Sequence, residues 1–184
     1  MHQLELAEKA LAGIKDGARI AARNAINRAM TAGKTAAIKK AAERYTIKQA
    51  KVRDKITTSK ADLNRLVAKV TSRGKALRLT DYETNPKRPT PKKPQLLKVN
   101  VLRETGFQPI AGAFLAVSKR SGKMGVFVRS TKARLPIKQL FGPSIPEILG
   151  TKTVAEAVEG RAQDVLNDRF NHEIGRLMRA SLKR

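Results

Sequence analysis

Apolar residues recur at three- and four-residue steps from the start of the chain. Leu4, Ala7, Leu11, Ile14, Ala18, Ala21 and Ala25 fall on one face of a helix over 4–30. Lys9, Lys15, Arg19, Arg23 and Arg28 lie mostly off that face. Gly13 and Gly17 are about one turn apart, and either admit a close helix neighbour or are two tolerated weak points. The pattern resumes from Thr35 to Tyr45 through Ile38, Ala41, Ala42 and Tyr45; Gly33 either breaks the helix or is absorbed in it. Thr46 stands three residues before Gln49, a capping-box spacing that starts a short helix running to about Thr57.

The period then changes. Over 63–80, Leu63, Leu66, Val67 and Val70 fit a helix, yet Leu66, Ala68 and Val70, and then Leu77 and Leu79, alternate about Ser72-Arg73-Gly74-Lys75. The short second arm favours a β-hairpin. Residues 84–95 hold half of the prolines and four basic residues with no acid, which reads as an extended, solvated loop. Leu97, Val99 and Val101 alternate as a strand. Ala113 to Val117 and Gly125 to Arg129 flank a basic turn and predict a second hairpin. Leu135 to Gly150 is rich in turn residues. A final helix begins at the capping-box pair Thr153 and Glu156, with Val154, Val158, Ala162, Val165, Phe170, Ile174 and Leu177 as its apolar stripe.

The expected fold is α+β: N-terminal helices, an antiparallel β-sheet of two hairpins and a C-terminal helix. The expected division is a helical region 1–60, a sheet region 61–150 carrying the basic proline-rich loop 84–95, and a helix 151–184, forming a single domain overall. Phe107, Phe114, Phe127, Phe141 and Phe170 are expected in the core.

Charge narrows the function. The 184 residues carry 39 Lys and Arg against 15 Asp and Glu, a net charge of +24. Such a chain repels itself, and a polyanion relieves the repulsion; nucleic acid is the commonest. Alanine supplies much of the apolar count and tryptophan is absent, so a modest core with further burial against partner subunits is expected. Without cysteine there are no disulfides or thiolate metal sites. The first residues do not read as a signal peptide and no apolar run is long enough for a membrane span, so assembly in a cytoplasm is expected.

Catalytic signatures are weak. Thr31-Ala32-Gly33-Lys34-Thr35 matches only the end of a phosphate-binding loop: Arg28 occupies the position of the first glycine, and the segment is helical in pattern. His172 has no second imidazole one turn away. Asp81 and Glu83 are the best pair for a metal-dependent nuclease, although charge balance among lysines explains them more simply. No enzyme activity, cofactor or metal is expected. Sequence-specific base reading has no supporting motif, which leaves non-specific phosphate contact. Lys87, Arg88, Lys92 and Lys93 in the proline-rich loop, and Lys119, Arg120 and Lys123 at the hairpin tip, are the candidate phosphate-facing groups. A free basic nucleic-acid-binding protein of nucleoid or ribosome-associated type is the competing reading.

Ordered short stretches resemble the phage minor tail protein Z family of tail-completion proteins. They run from Ala25-Ile26-Asn27-Arg28-Ala29 through Arg44-Tyr45-Thr46-Ile47-Lys48 and Arg65-Leu66-Val67-Ala68-Lys69-Val70. Then follow Gly112-Ala113-Phe114-Leu115-Ala116, Gly125-Val126-Phe127-Val128-Arg129 and Leu140-Phe141-Gly142-Pro143-Ser144-Ile145-Pro146, with Arg169-Phe170 and Glu173-Ile174 in the last helix. The resemblance implies a structural virion protein that completes the head-proximal end of the tail and joins it to the head connector, near the genome's path. Tail terminator or tube proteins and head connector proteins are the implied neighbours, and a hexameric ring matches a tail tube. A ring needs a head-to-tail surface that closes; Pro136 and the turn Gly142, Pro143, Ser144, Ile145 and Pro146 are the expected subunit contacts, beside the alanine-rich helix.

Overall fold

The computed structural model describes Leu11, Ile14 and residues 16–89, 96–118 and 121–181. Most of the expected helix before Gly17, together with Lys92, Lys93, Lys119 and Arg120, lies outside the described residues. The chain is α+β and divides into two compact units, one drawing on residues 1–37, 56–71 and 152–184, the other on 38–55 and 72–151.

In the first unit the pattern of small residues builds a helix pair. Helix α1 spans Gly17–Arg44 and buries Ala18, Ala21, Ala22, Ala25 and Ala29 at three- and four-residue steps. The final helix, Lys152–Ser181, brings Phe170 into the same cluster, with Leu66, Leu166, Ile174 and Leu177 packed around it. Alanine loses no side-chain entropy on folding and lets the partner approach closely. The contact is also polar: Asn24 Nδ2 donates to Glu173 Oε2 at 2.8 Å. Asn27 clamps the chain at Ala61 through bonds to its carbonyl and from its amide, 3.0 and 2.8 Å. Gly33 is absorbed, so the two expected helices are one. Strands β1 (Ile56–Ser59) and β2 (Lys69–Ser72) pair as a small two-stranded sheet.

The second unit contains the short helix α2 (Gln49–Arg53), β3 (Leu77–Arg78), a 3-10 turn at Leu79–Asp81, β4 (Glu83–Asn85), β5 (Lys98–Asn100), β6 (Gln108–Pro109), β7 (Ala113–Val117), β8 (Met124–Arg129), β9 (Ile137–Gly142) and α3 (Ile145–Leu149); the long C-terminal helix of the first unit is thus α4. The strands form a four-stranded sheet in the order β3-β9-β8-β7 and a three-stranded sheet in the order β4-β5-β6. Leu79, Leu97, Val99, Leu115 and Val126 make the core.

Four expectations are corrected. The hairpin over 63–80 does not form: β2 pairs with β1, and β3 pairs with β9 through Leu77 opposite Gly142 and Arg78 opposite Phe141. The chain turns away at once, because Leu79 enters the core in a 3-10 turn closed by Arg78 N donating to Asp81 Oδ2 at 3.2 Å. Thr46 caps no helix. Its hydroxyl donates to Asn100 O, its amide donates to Val101 O at 3.1 Å, and Lys48 stands at the start of α2 without a side-chain cap. The turn-rich stretch 135–150 holds a strand and a helix. Phe107 and Phe141 are exposed, 44% and 51%, where core positions were expected.

Candidate functional site

Antiparallel register sorts the four-stranded sheet into two faces, because successive side chains alternate. Leu115 opposite Val126 and Val126 opposite Leu140 define the inner face, which covers the core. Phe114 opposite Phe127, Phe127 opposite Gln139 and Arg129 opposite Ile137 define the outer face. Phe127 is buried there, its ring 6.3 Å from that of Phe114 and lying over Gly125, where an added Cβ would stand 3.0 Å from Phe127 Cε2. The Arg129 guanidinium sits 4.9 Å above the Phe114 ring centre.

The candidate cations that the structure describes are at the surface. Lys87 and Arg88 are exposed in the segment after β4. Lys123 is exposed in the β7–β8 turn, which closes with Ser118 N donating to Lys123 O at 2.9 Å and turns on Gly122 at φ +63°. A further group was not singled out from the sequence. The end of β8, the β8–β9 connection and the start of β9 carry Arg129, Lys132, Arg134 and Lys138 within a run, 129–138, that is exposed throughout. The signal that finds it is a missing residue type. Between Glu83 and Glu147 the chain has thirteen Lys or Arg and a single acid, Glu104. The second unit consequently holds 23 Lys and Arg against 6 Asp and Glu, +17 of the +24.

In the 3-10 turn an acid neutralises two cations. Asp81 receives Lys51 Nζ and, at 3.1 Å, Arg78 Nη2. Burial pushes the Asp81 carboxyl up, but the hydrogen bonds and charges of Lys51 and Arg78 outweigh it and hold the carboxyl below its ordinary value. Asp81 is therefore committed to an ion-pair node, while Glu83 stays exposed on β4. Among the described residues no three metal-ligating side chains gather. Thr31 and Thr35 lie within α1, and their hydroxyls donate back to the Asn27 and Thr31 carbonyls at 3.0 Å, so this segment makes no phosphate cradle.

The expected contact turn is built into its own unit. The Tyr82 ring fills the space over Gly142, and its hydroxyl donates to Pro143 O at 2.7 Å. Ser144 caps α3 reciprocally with Glu147, the amide of Ser144 donating to Glu147 Oε2 at 2.7 Å and that of Glu147 to Ser144 Oγ at 3.3 Å. The Ser144 bonds lower the Glu147 carboxyl from its ordinary value. Ile145 is 1% exposed, Pro146 is half-buried, and Pro136 is exposed at the start of β9.

The chain thus combines helices and small antiparallel sheets with cations concentrated in one unit, and comparison with known families identifies it as a phage tail component. The family model described as prophage minor tail protein Z matches residues 1–184, the whole chain, and the chain belongs to that family. No curated protein and no solved structure matches it. Among the described residues no helix is long and apolar enough to cross a membrane.

Proposed function

We propose that this tail protein completes the head-proximal end of the tail, joins it to the head connector as a closed ring, and touches the passing genome without reading its sequence. The carrying observation is the nearly acid-free stretch between Glu83 and Glu147, whose cations include Lys87, Arg88, Lys123 and the run from Arg129 to Lys138. With so little carboxylate inside the stretch, their counter-charge comes from outside the chain, and phosphate supplies it at every nucleotide. The family supports a structural role in the tail. A hexamer matches a tail tube, and in this reading Pro136 and the Gly142-Pro143-Ser144-Ile145-Pro146 segment lie at the subunit boundary, exposed Pro136 and the half-buried Gly142, Pro143 and Pro146 making the contact.

The test is a phage with the gene silenced. The reading expects full heads and separate, complete-length tails that join when the purified chain is added, and a small ring-like copy number in intact particles by quantitative mass spectrometry. Normal joining without the chain, or its absence from particles, rejects it.

A further inference from the structure

We propose that the outer face of the four-stranded sheet is a docking surface for a second virion protein, one whose contact patch is apolar at its centre and acidic at its rim. The inference rests on the tail-completion reading and adds to it a surface and the chemistry of the partner.

The apolar centre is set by register. Ile137 and Phe141 project from β9 on the same face as Phe114 and Phe127, and they are 40% and 51% exposed. Leu135, just before the strand, is 67% exposed. Arg129 stands at the edge of this patch over Phe114, and among the described residues no carboxylate pairs with it. An aromatic and aliphatic centre beside an arginine is the composition enriched in protein contacts.

The occupant follows from charge. From Thr105 to Pro146 the chain has no acid, so two copies meeting face to face here would set like charge against like. A single-stranded nucleic acid needs a series of bare aromatic faces for successive bases to stack on; here Phe127 is buried and the Phe114 face is taken by Arg129, which leaves this face one exposed ring, Phe141. An apolar patch with an acidic rim on another protein meets both the apolar centre and Arg129.

The probe is purified tails assembled without this chain, mixed with the full-length chain and sedimented. Phe141→Asp, Ile137→Asp and Arg129→Glu are each expected to lower retention about tenfold or more, a hot-spot effect, with thermal unfolding close to that of the unsubstituted chain; the first two, which remove no cation, are also expected to keep its duplex-DNA affinity. If Phe141→Asp does not fold, Ile137→Asp carries the test, because its side chain is 40% exposed. Retention unchanged in folded variants overturns the proposal. So does a free-chain oligomer that Phe141→Asp dissociates, which would make the occupant a second copy, or a loss of DNA affinity in Ile137→Asp or Phe141→Asp matching the loss of retention. Failure of the unsubstituted chain to bind these tails rejects the tail-completion reading itself and this surface with it.

Discussion

Tyr82 and Gly142 share one space: the tyrosine ring occupies the position of a side chain at 142, where an added Cβ would stand 2.7 Å from Cε2. The Tyr82 hydroxyl then reaches the Pro143 carbonyl. This contact fixes where β9 ends and α3 begins. Gly142→Ala forces the ring out of place and should cost about 1–3 kcal/mol, the range for an overfilled core. Tyr82→Phe keeps the ring and loses one hydrogen bond, about 1 kcal/mol. Urea unfolding of the two variants checks the order.

Gly33 has the opposite sign. It lies inside α1, and a Cβ there would stand 3.5 Å from Val158 Cγ1 and 3.6 Å from Ala162 Cβ, ordinary contact distances. Gly33→Ala should stabilise the protein by roughly 0.5–1 kcal/mol, because alanine loses less backbone freedom in a helix and clashes with nothing. A lower melting temperature in this variant would contradict the α1–α4 packing described above.

Acid should act through Asp81. Its carboxyl is held below the ordinary value in the folded protein, so its stabilising effect is complete above the unfolded value and is lost as pH falls through the folded one. Asp81→Asn removes charge-assisted bonds from Lys51 and Arg78 and should cost about 2 kcal/mol at neutral pH. The difference between variant and parent should shrink in strong acid. Denaturant melts at neutral pH and below pH 3 check both statements.

Duplex DNA binding should weaken with salt, and Lys123, Lys132 and Arg134 are exposed cations on which to measure it. Each phosphate contact removed lowers the salt slope by about 0.9. Replacing all three by glutamine should reduce the slope by up to about 2.7 without changing preference between sequences. An unchanged slope would place these side chains away from phosphate.

The parts legible in the sequence are those where one local period decides the structure. The stripe from Val154 to Leu177 gives α4, and alternation on either side of the Ser118 to Lys123 turn gives the β7–β8 hairpin with its pairing of Phe114 and Phe127. The strand β9 is hidden because Pro136 and Gly142-Pro143 bracket it, and turn residues at both ends mask six residues of sheet. The pairing of Leu77 with Gly142 depends on residues far apart in sequence, and no local period records it. Thr46 shows the limit of a motif: its spacing to Gln49 fits a cap, but the neighbouring strand offers its hydroxyl a buried acceptor, Asn100 O. At the candidate site, runs of lysine and proline draw notice to Lys87 and Arg88, whereas Arg129, Lys132, Arg134 and Lys138 are spaced among neutral residues. Reading the positions of acids instead of bases brings them out.

Charge is shared unequally between the two units, and the second bears +17 of the +24. A polyanion's field therefore pulls on that unit more strongly before any contact is made, which raises the rate of encounter. That pull operates over roughly 10 Å in 0.1 M salt and contracts to about 3 Å at 1 M, so the speed of encounter, apart from its final strength, is sensitive to ionic conditions.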